Sequence, residues 1–138
     1  LTFMTGGQSA AALQILRAMG QDIHDMGSFG AGMTAKVLNN LLAASHTAMT
    51  RIVLDWADSA GVDESRLLAL IHSASGQNWL ASGFDEIEFA RDGFAADNTI
   101  GILVKDVNAA LDIAPDEGTA LPQAELSVLC DLKPRRKP

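Results

Sequence analysis

The feature that most constrains this chain is a long helical pattern near its N-terminal third. The pattern runs from about residue 31 to residue 60 and is followed by Gly61, a residue that commonly ends helices. This length is about twice the mean of globular helices. Apolar residues occur around most of its circumference, namely Val37, Leu38, Leu41, Leu42, Met49, Ile52, Val53, Leu54 and Trp56. Because such a helix must be covered on several sides, the sequence predicts a mainly α-helical bundle around one long central helix.

Shorter patterns flank this helix. Residues 1–5 and 23–26 are strand-like and enclose an alanine- and leucine-rich helix over 8–19. Unpaired strands expose backbone groups, so we expect these two to pair with each other or with a second copy of the chain, or else to be disordered. Further helices are predicted over 64–74, 78–84, 99–113 and 122–132, the first and third with Asp63 and Asn98 as N-caps.

Composition narrows the class of partner. The chain has 138 residues, 48% of them hydrophobic, which is enough for one well-buried core. A net charge of −7 argues against nucleic acid and against an anionic membrane as general partners. Cys130 is the single cysteine, which excludes an internal disulfide and favours the cytoplasm. The three histidines lack metal-ligand spacing, so no metal site is predicted.

A glycine turn precedes the long helix, and a lysine lies in its first turns. Gly27, Gly30 and Gly32 lack Cβ atoms, so the backbone there can approach a ligand and offer N–H groups to an anion. Lys36 lies among apolar residues, and Asn40 follows it by four positions on the same helical face. Such a pair can hold and protonate an oxygen. From the residues alone, a solvated surface lysine is the more common outcome.

These residues resemble a known family, the β-hydroxyacid dehydrogenases, which include 3-hydroxyisobutyrate dehydrogenase, tartronate semialdehyde reductase and 6-phosphogluconate dehydrogenase-like enzymes. Members carry a strand ending in a double glycine, a glycine-rich turn, a lysine with an asparagine pair, a later Lys-Asp pair, and a Leu-Pro that opens the last core helix. The matching residues here are Gly6-Gly7, the turn from Gly27 to Gly32, Lys36, Asn39-Asn40, Lys105-Asp106 and Leu121-Pro122. The chain from residue 1 to about 126 is similar to the C-terminal half of this family.

The resemblance implies a reaction and roles for individual residues. It implies hydride transfer between a small β-hydroxy acid, or its semialdehyde, and NAD or NADP. Lys36 would be the catalytic acid/base, with Asn40 as its catalytic and substrate-orienting partner. Lys105, Gly30 and Gly32 would bind the cofactor, and Asp106 would bind substrate together with Asn40. Family members associate through these helices, so a homodimer is expected.

The resemblance also implies a domain plan. The Gly-x-Gly-x-x-Gly fingerprint of dinucleotide-binding folds is absent from the chain. Residues 1–27 would be the C-terminal edge, a short βαβ remnant, of a missing NAD(P)-binding Rossmann domain. Residues 28–132 would form the all-α catalytic and dimerisation domain, and the basic, proline-containing residues 133–138 are predicted to be a disordered tail. Without the Rossmann half, the chain is expected to be inactive by itself.

A second function stays open at this point, a non-enzymatic helical assembly module in which the long helix only dimerises. An assembly module has no need for a lysine at position 36, so Lys36 separates the two functions. The hydroxy acid is not specified, and neither is the choice between NAD and NADP. Many family members also have a phenylalanine seven residues before the lysine of the Lys-Asp pair, whereas this chain has Asn98 there and Phe94 nearby.

Overall fold

The computed structural model describes residues 1–7 and 10–136, and it is mainly α-helical with a small parallel sheet. Its elements, in chain order, are β1 (Thr2–Thr5), α1 (Ala10–Met19), β2 (Asp22–Asp25), α2 (Ala31–Ser59), α3 (Glu64–Ser73), α4 (Trp79–Ser82), α5 (Thr99–Asp112) and α6 (Ala120–Asp131). The predicted mainly α class with an N-terminal βαβ unit is confirmed. Within the described ranges, none of the helices has the length and apolar character needed to cross a membrane.

The first of two compact units, Leu1–Asn39, is built on the βαβ pattern. β1 and β2 pair in parallel, with Phe3 opposite Ile23, so the expectation that the strands pair with each other is confirmed. The start of α2 packs against β1, because a Cβ atom added at Gly32 would lie 2.5 Å from the carbonyl oxygen of Met4. The unit therefore extends beyond residue 27, where the sequence predicted a domain boundary.

The second unit, Asn40–Pro138, holds two apolar clusters. One joins α2 to α5 and α6 and consists of Ala44, Ala48, Ile100, Leu103, Val107, Leu129 and Leu132. The other joins α2 to α3, α4 and the segment that follows α4, and consists of Leu54, Leu68, Leu80, Ala81, Phe84 and Ala90. Because α2 contributes to both clusters, it is the element that connects the two parts of this unit.

Side-chain caps begin α3 and α5, as the sequence predicted. Asp63 Oδ1 accepts a hydrogen bond from the backbone N–H of Arg66 at 2.9 Å, at the start of α3. Asn98 Oδ1 accepts one from the backbone N–H of Gly101 at 3.0 Å, at the start of α5. Both bonds satisfy donors that have no partner inside their own helix. The start of α5 matters below because this helix carries Lys105 and Asp106.

Residues 133–136, here named the C-terminal strap, lie in the segment that the sequence predicted as a disordered tail, and they make specific contacts. The side chain of Arg135 forms ion pairs with Asp55, Asp58 and Glu64. The basic composition of this segment suggested solvation, but its arginine meets carboxylates that lie 71 to 80 residues earlier in the chain. Residues 137 and 138, which the same prediction included, lie outside the described residues.

Candidate functional site

Lys36 lies in the second turn of α2, and its side chain is exposed. The sequence predicted apolar surroundings for it, and the described residues of its unit do not provide them. Successive residues of a helix lie on different faces, so apolar neighbours in sequence need not cover the lysine. Its role as acid/base is therefore carried by the motif and by its chemistry, and it stays a prediction.

The glycines of the turn before α2 are required for different reasons. Gly27 and Gly30 have φ angles of +96° and +89°, a region that side-chain-bearing residues rarely adopt. Within the described residues, no atom beyond the chain neighbours lies within 4 Å of a Cβ built at Gly30, so its backbone is open to approach. Gly32 is buried against β1 instead. Packing alone explains the glycine at position 32, whereas the backbone is open at Gly30 and equally at Gly27.

The structure brings together two predicted site residues of the second unit. Asn40 Nδ2 donates a hydrogen bond to Asp106 Oδ2 at 3.1 Å, across 66 residues of sequence. Both side chains are half-buried, while that of the adjacent Lys105 is exposed. The apolar cluster shared by α2 and α5 holds the two helices close enough for this contact. The asparagine of the first motif and the aspartate of the second are therefore direct neighbours.

This contact gives Asp106 a hydrogen-bond partner within the chain. An ionised carboxylate only accepts hydrogen bonds, so it selects the nitrogen end of the Asn40 amide. The amide oxygen of Asn40 is thereby turned away from Asp106. The role of Asp106 in substrate binding stays a prediction, and the geometry adds a hydrogen bond from Asn40.

Sequence reasoning missed a buried arginine. The side chain of Arg51 is 2% exposed and donates to the backbone oxygens of Ala90 and Asp92, at 3.0 and 2.7 Å, and to that of Lys133. Burial lowers the pKa of its guanidinium from the usual value. The available signal was a single arginine within the apolar stretch from residue 48 to residue 54. Arg51 ties two non-helical segments to α2.

A second buried group was also missed. Glu64, whose side chain is 5% exposed, accepts hydrogen bonds from Arg91, at 2.6 Å, and from Arg135. The guanidinium of Arg91 also lies over the ring of Phe84, 4.7 Å from its centroid. Across the described residues, no cluster of three or more His, Cys, Asp or Glu side chains is arranged to hold a metal ion.

Similarity to known proteins establishes the family of this chain. A family model described as the NAD-binding domain of NADP-dependent 3-hydroxyisobutyrate dehydrogenase matches residues 30–128. The chain belongs to this family. The matched range includes Lys36, Asn40 and Lys105-Asp106, so the resemblance to β-hydroxyacid dehydrogenases is confirmed. NAD and NADP, the expected cofactors, are those that the description of this dehydrogenase family names.

Several curated relatives are 3-hydroxyisobutyrate dehydrogenases. The chain is 32% identical over 123 residues to the mitochondrial enzyme of Bos taurus, a match that covers 83% of this chain and 37% of the relative. It is 28% identical over 130 residues to the mitochondrial enzyme of Rattus norvegicus, covering 88% of this chain and 39% of the relative. This member of the 3-hydroxyisobutyrate dehydrogenase family thus spans well under half the length of the curated relatives it matches.

Solved structures of 3-hydroxyisobutyrate dehydrogenases share the fold of this family member. The enzyme of Salmonella typhimurium superposes with a TM-score of 0.76 at 23% identity, covering 93% of this chain and 47% of that one. The Mycobacterium tuberculosis enzyme, solved with L-serine, superposes with a TM-score of 0.71 at 22% identity, covering 96% and 52%. At these identities the likeness establishes the fold.

Proposed function

We propose that this chain is the catalytic, substrate-binding and dimerisation half of an NAD(P)-dependent dehydrogenase that acts on a small β-hydroxy acid such as 3-hydroxyisobutyrate. The observation that carries the proposal is the 3.1 Å hydrogen bond between Asn40 and Asp106, because it joins the two motifs of the family. The relatives are longer than this chain, so we infer that turnover needs an NAD(P)-binding half in addition. A cytoplasmic location is part of the proposal and rests on the single Cys130.

Proton transfer is assigned to Lys36. Oxidation removes a hydride from the carbinol carbon and a proton from its hydroxyl group, so a base must lie within hydrogen-bond reach of that oxygen. As a neutral amine, Lys36 takes the proton; as an ammonium group it returns the proton when the carbonyl is reduced. Bound nicotinamide accepts or supplies the hydride.

Orientation of the substrate is assigned to Asn40 and, through it, to Asp106. Asn40 follows Lys36 by four residues in α2, a spacing that puts two side chains on one face of a helix. Its amide is proposed to hold the hydroxyl or carboxylate oxygen of the substrate, which aligns the reacting carbon. Asp106 holds the nitrogen end of that amide and so limits the orientations that Asn40 adopts.

Cofactor contacts are assigned to Gly30 and Lys105. The open, left-handed backbone at Gly30 lies at the start of α2, where the positive end of the helix dipole suits an anionic or polar group. Lys105 presents an exposed ammonium group beside Asp106. Gly32 was assigned with them, but its burial against β1 gives no support to a direct contact.

Association into a homodimer is assigned to α2. Leu42, Met49 and Trp56 are exposed and recur every seven residues, which places them on one face of the helix. We propose that this face contacts a second copy while helices α3 to α6 form a bundle on its other sides. The alternative function, a non-enzymatic assembly module, would use the same face and would not need Lys36.

Steady-state kinetics tests the proposal. The chain is joined to an NAD(P)-binding half and assayed on a panel of small β-hydroxy acids with NAD and with NADP. Lys36→Ala should lower kcat by about 10²- to 10⁴-fold, the usual contribution of a positioned acid/base. Arg17→Ala, which removes an exposed helical cation from α1, is the control. Absence of turnover on every acid, or turnover indifferent to Lys36, would favour the assembly module.

A further inference from the structure

The C-terminal strap lies beside the segment that precedes α5. The backbone N–H of Phe94 donates to the carbonyl oxygen of Leu132 at 2.9 Å, and that of Arg135 donates to the carbonyl oxygen of Arg91 at 2.8 Å. These two bonds run in opposite senses between residues 91–94 and residues 132–135. The strap is therefore held by main-chain pairing as well as by the ion pairs of Arg135.

The paired segment leads directly to the cap of α5. Gly93 is so close to the strap that a Cβ atom there would lie 2.6 Å from Pro134 Cδ. The carbonyl oxygen of Gly93 accepts a hydrogen bond from Asn98 Nδ2 at 2.8 Å. The other end of the same amide caps α5 by accepting from the backbone N–H of Gly101. One side chain thus links the strap-bearing loop to the first turn of the helix.

Buried Arg51 fixes this arrangement to α2. Its guanidinium donates to the carbonyl oxygens of Ala90 and Asp92, just before Gly93, and to that of Lys133 in the strap. The loop and the strap therefore share one rigid anchor. Removing the strap would leave Arg51 with fewer acceptors and would free the loop on the side facing Pro134.

We propose that the C-terminal strap positions α5, acting through Gly93 and Asn98. Seating of the strap fixes the carbonyl of Gly93, which orients the Asn98 amide, which in turn sets the first turn of the helix. Lys105 and Asp106 follow two turns later, so the strap governs the contact between Asp106 and Asn40. The functional meaning of that contact rests on the proposed function, but the mechanical coupling does not.

Hydrogen exchange of the chain, followed by NMR, tests the coupling. Deleting residues 133–138 should raise the exchange rates of the Gly101 and Ile102 amides by about tenfold or more, because both depend on Asn98 as acceptor. Deleting only residues 137 and 138 is the matched control and should leave these rates unchanged. Amides of α1, in the other unit, are the internal reference. Unchanged exchange at both reporter amides after loss of the strap would overturn the proposal.

Asn98→Asp isolates the proposed link. The carboxylate keeps an oxygen that accepts from Gly101, but it has no N–H for the carbonyl of Gly93. In this background, deletion of residues 133–138 should change the exchange of Gly101 and Ile102 by less than about twofold beyond the effect of Asn98→Asp itself. An equal effect of the deletion in both backgrounds would show that the strap does not act through Asn98.

A milder variant keeps the test decisive if the shortened chain does not fold. Arg135→Gln retains the main-chain pairing and removes the ion pairs with Asp55, Asp58 and Glu64. It should raise the same two exchange rates by a smaller factor, and Asn98→Asp should again abolish the effect; no rise would overturn the proposal. All of these measurements use the chain without cofactor or substrate, so they can fail while the Lys36 assay succeeds, and the reverse.

Discussion

The carboxyl group of Glu125, in α6, lies near Ser45 and His46 of α2. Its side chain is buried, and desolvation raises its pKa, while Ser45 and His46 act in the opposite direction. His46 Nδ1 is itself buried and has no hydrogen-bond partner within the described part of the chain. Ser45 and His46 therefore offset only part of the desolvation cost of an ionised Glu125 carboxylate.

This burial predicts how stability depends on pH. The folded state binds the Glu125 proton more tightly than the unfolded chain does, so the stability it contributes is complete below the ordinary carboxyl pKa of about 4.3. That contribution is lost as pH rises through the raised folded value. Glu125→Gln should therefore be more stable than the parent at pH 7 in urea unfolding, with the difference shrinking toward pH 4. Glu117→Gln, at an exposed carboxylate, is the control; a parent more stable than Glu125→Gln at pH 7 would contradict the prediction.

Gly32 gives a second residue-scale prediction. A Cβ added there would lie 2.5 Å from the carbonyl oxygen of Met4 and 2.9 Å from Thr5 C, and backbone atoms of a strand cannot rotate away. Gly32→Ala should lower the free energy of unfolding by about 1–3 kcal/mol. Gly76→Ala is the matched control, since its nearest contact would be Ile71 Cγ2 at 3.8 Å. Equal stability of the two variants, measured by urea titration, would refute the packing argument.

Among the elements, α2 has the exposed apolar face that is proposed to form the dimer. Placing a charge in the centre of its exposed apolar face should oppose contact with a second copy, because the charge would have to be desolvated. Met49→Glu should shift the mass measured by light scattering from twice 14.5 kDa to 14.5 kDa. Leu70→Glu, which places the same charge at an exposed position of α3, should leave the dimer intact. If the parent chain is monomeric at micromolar concentration, the proposed dimer interface on α2 is wrong.

Helix bounds were predictable because their signals are local. The long helix was predicted over 31–60 and is observed at Ala31–Ser59, and the helix after Asn98 was predicted over 99–113 and is observed at Thr99–Asp112. Periodicity, caps and a following glycine all act within a few residues of the helix they define. The contacts of the strap were not predictable, because they involve carboxylates more than seventy residues away.

The same distinction applies to the candidate site. Motif spacing selected Asn40 and Asp106 separately, but nothing in their local sequence says that one donates to the other across 66 residues. The burial of the Lys36 side chain was overestimated, because apolar neighbours in sequence do not specify which face of a helix is covered. Gly32 was assigned to a ligand because a glycine that admits a ligand and one that admits a strand have the same sequence signature.

At the scale of the second unit, the contacts of Glu64 hold several segments together, and removing them should lower the stability of the unit. It accepts from two arginines whose side chains are only 19% and 8% exposed, those of Arg91 and Arg135. Glu64→Ala removes charged hydrogen bonds to both cations and should cost about 1.5–3 kcal/mol of unfolding free energy, because Arg91 keeps Asp85 and Arg135 keeps Asp55 and Asp58. Glu86→Ala, at an exposed position, should be nearly neutral. The midpoint of urea unfolding measures both, and a loss below about 1 kcal/mol for Glu64→Ala would show the network to be unimportant.

The position of Arg135 at the far end of the second unit also sets the order in which a nascent chain is completed. A ribosome adds about 5–20 residues per second, so the 71 residues between Glu64 and Arg135 take roughly 4–14 seconds. During that interval Glu64 and Arg51 have left the peptidyl-transferase centre, while one partner of each, Arg135 and Lys133, has not yet been made. Translational pausing shortly before residue 133 would prolong the exposure of these charges to chaperones and proteases, so codon choice in that stretch bears on the yield of folded protein.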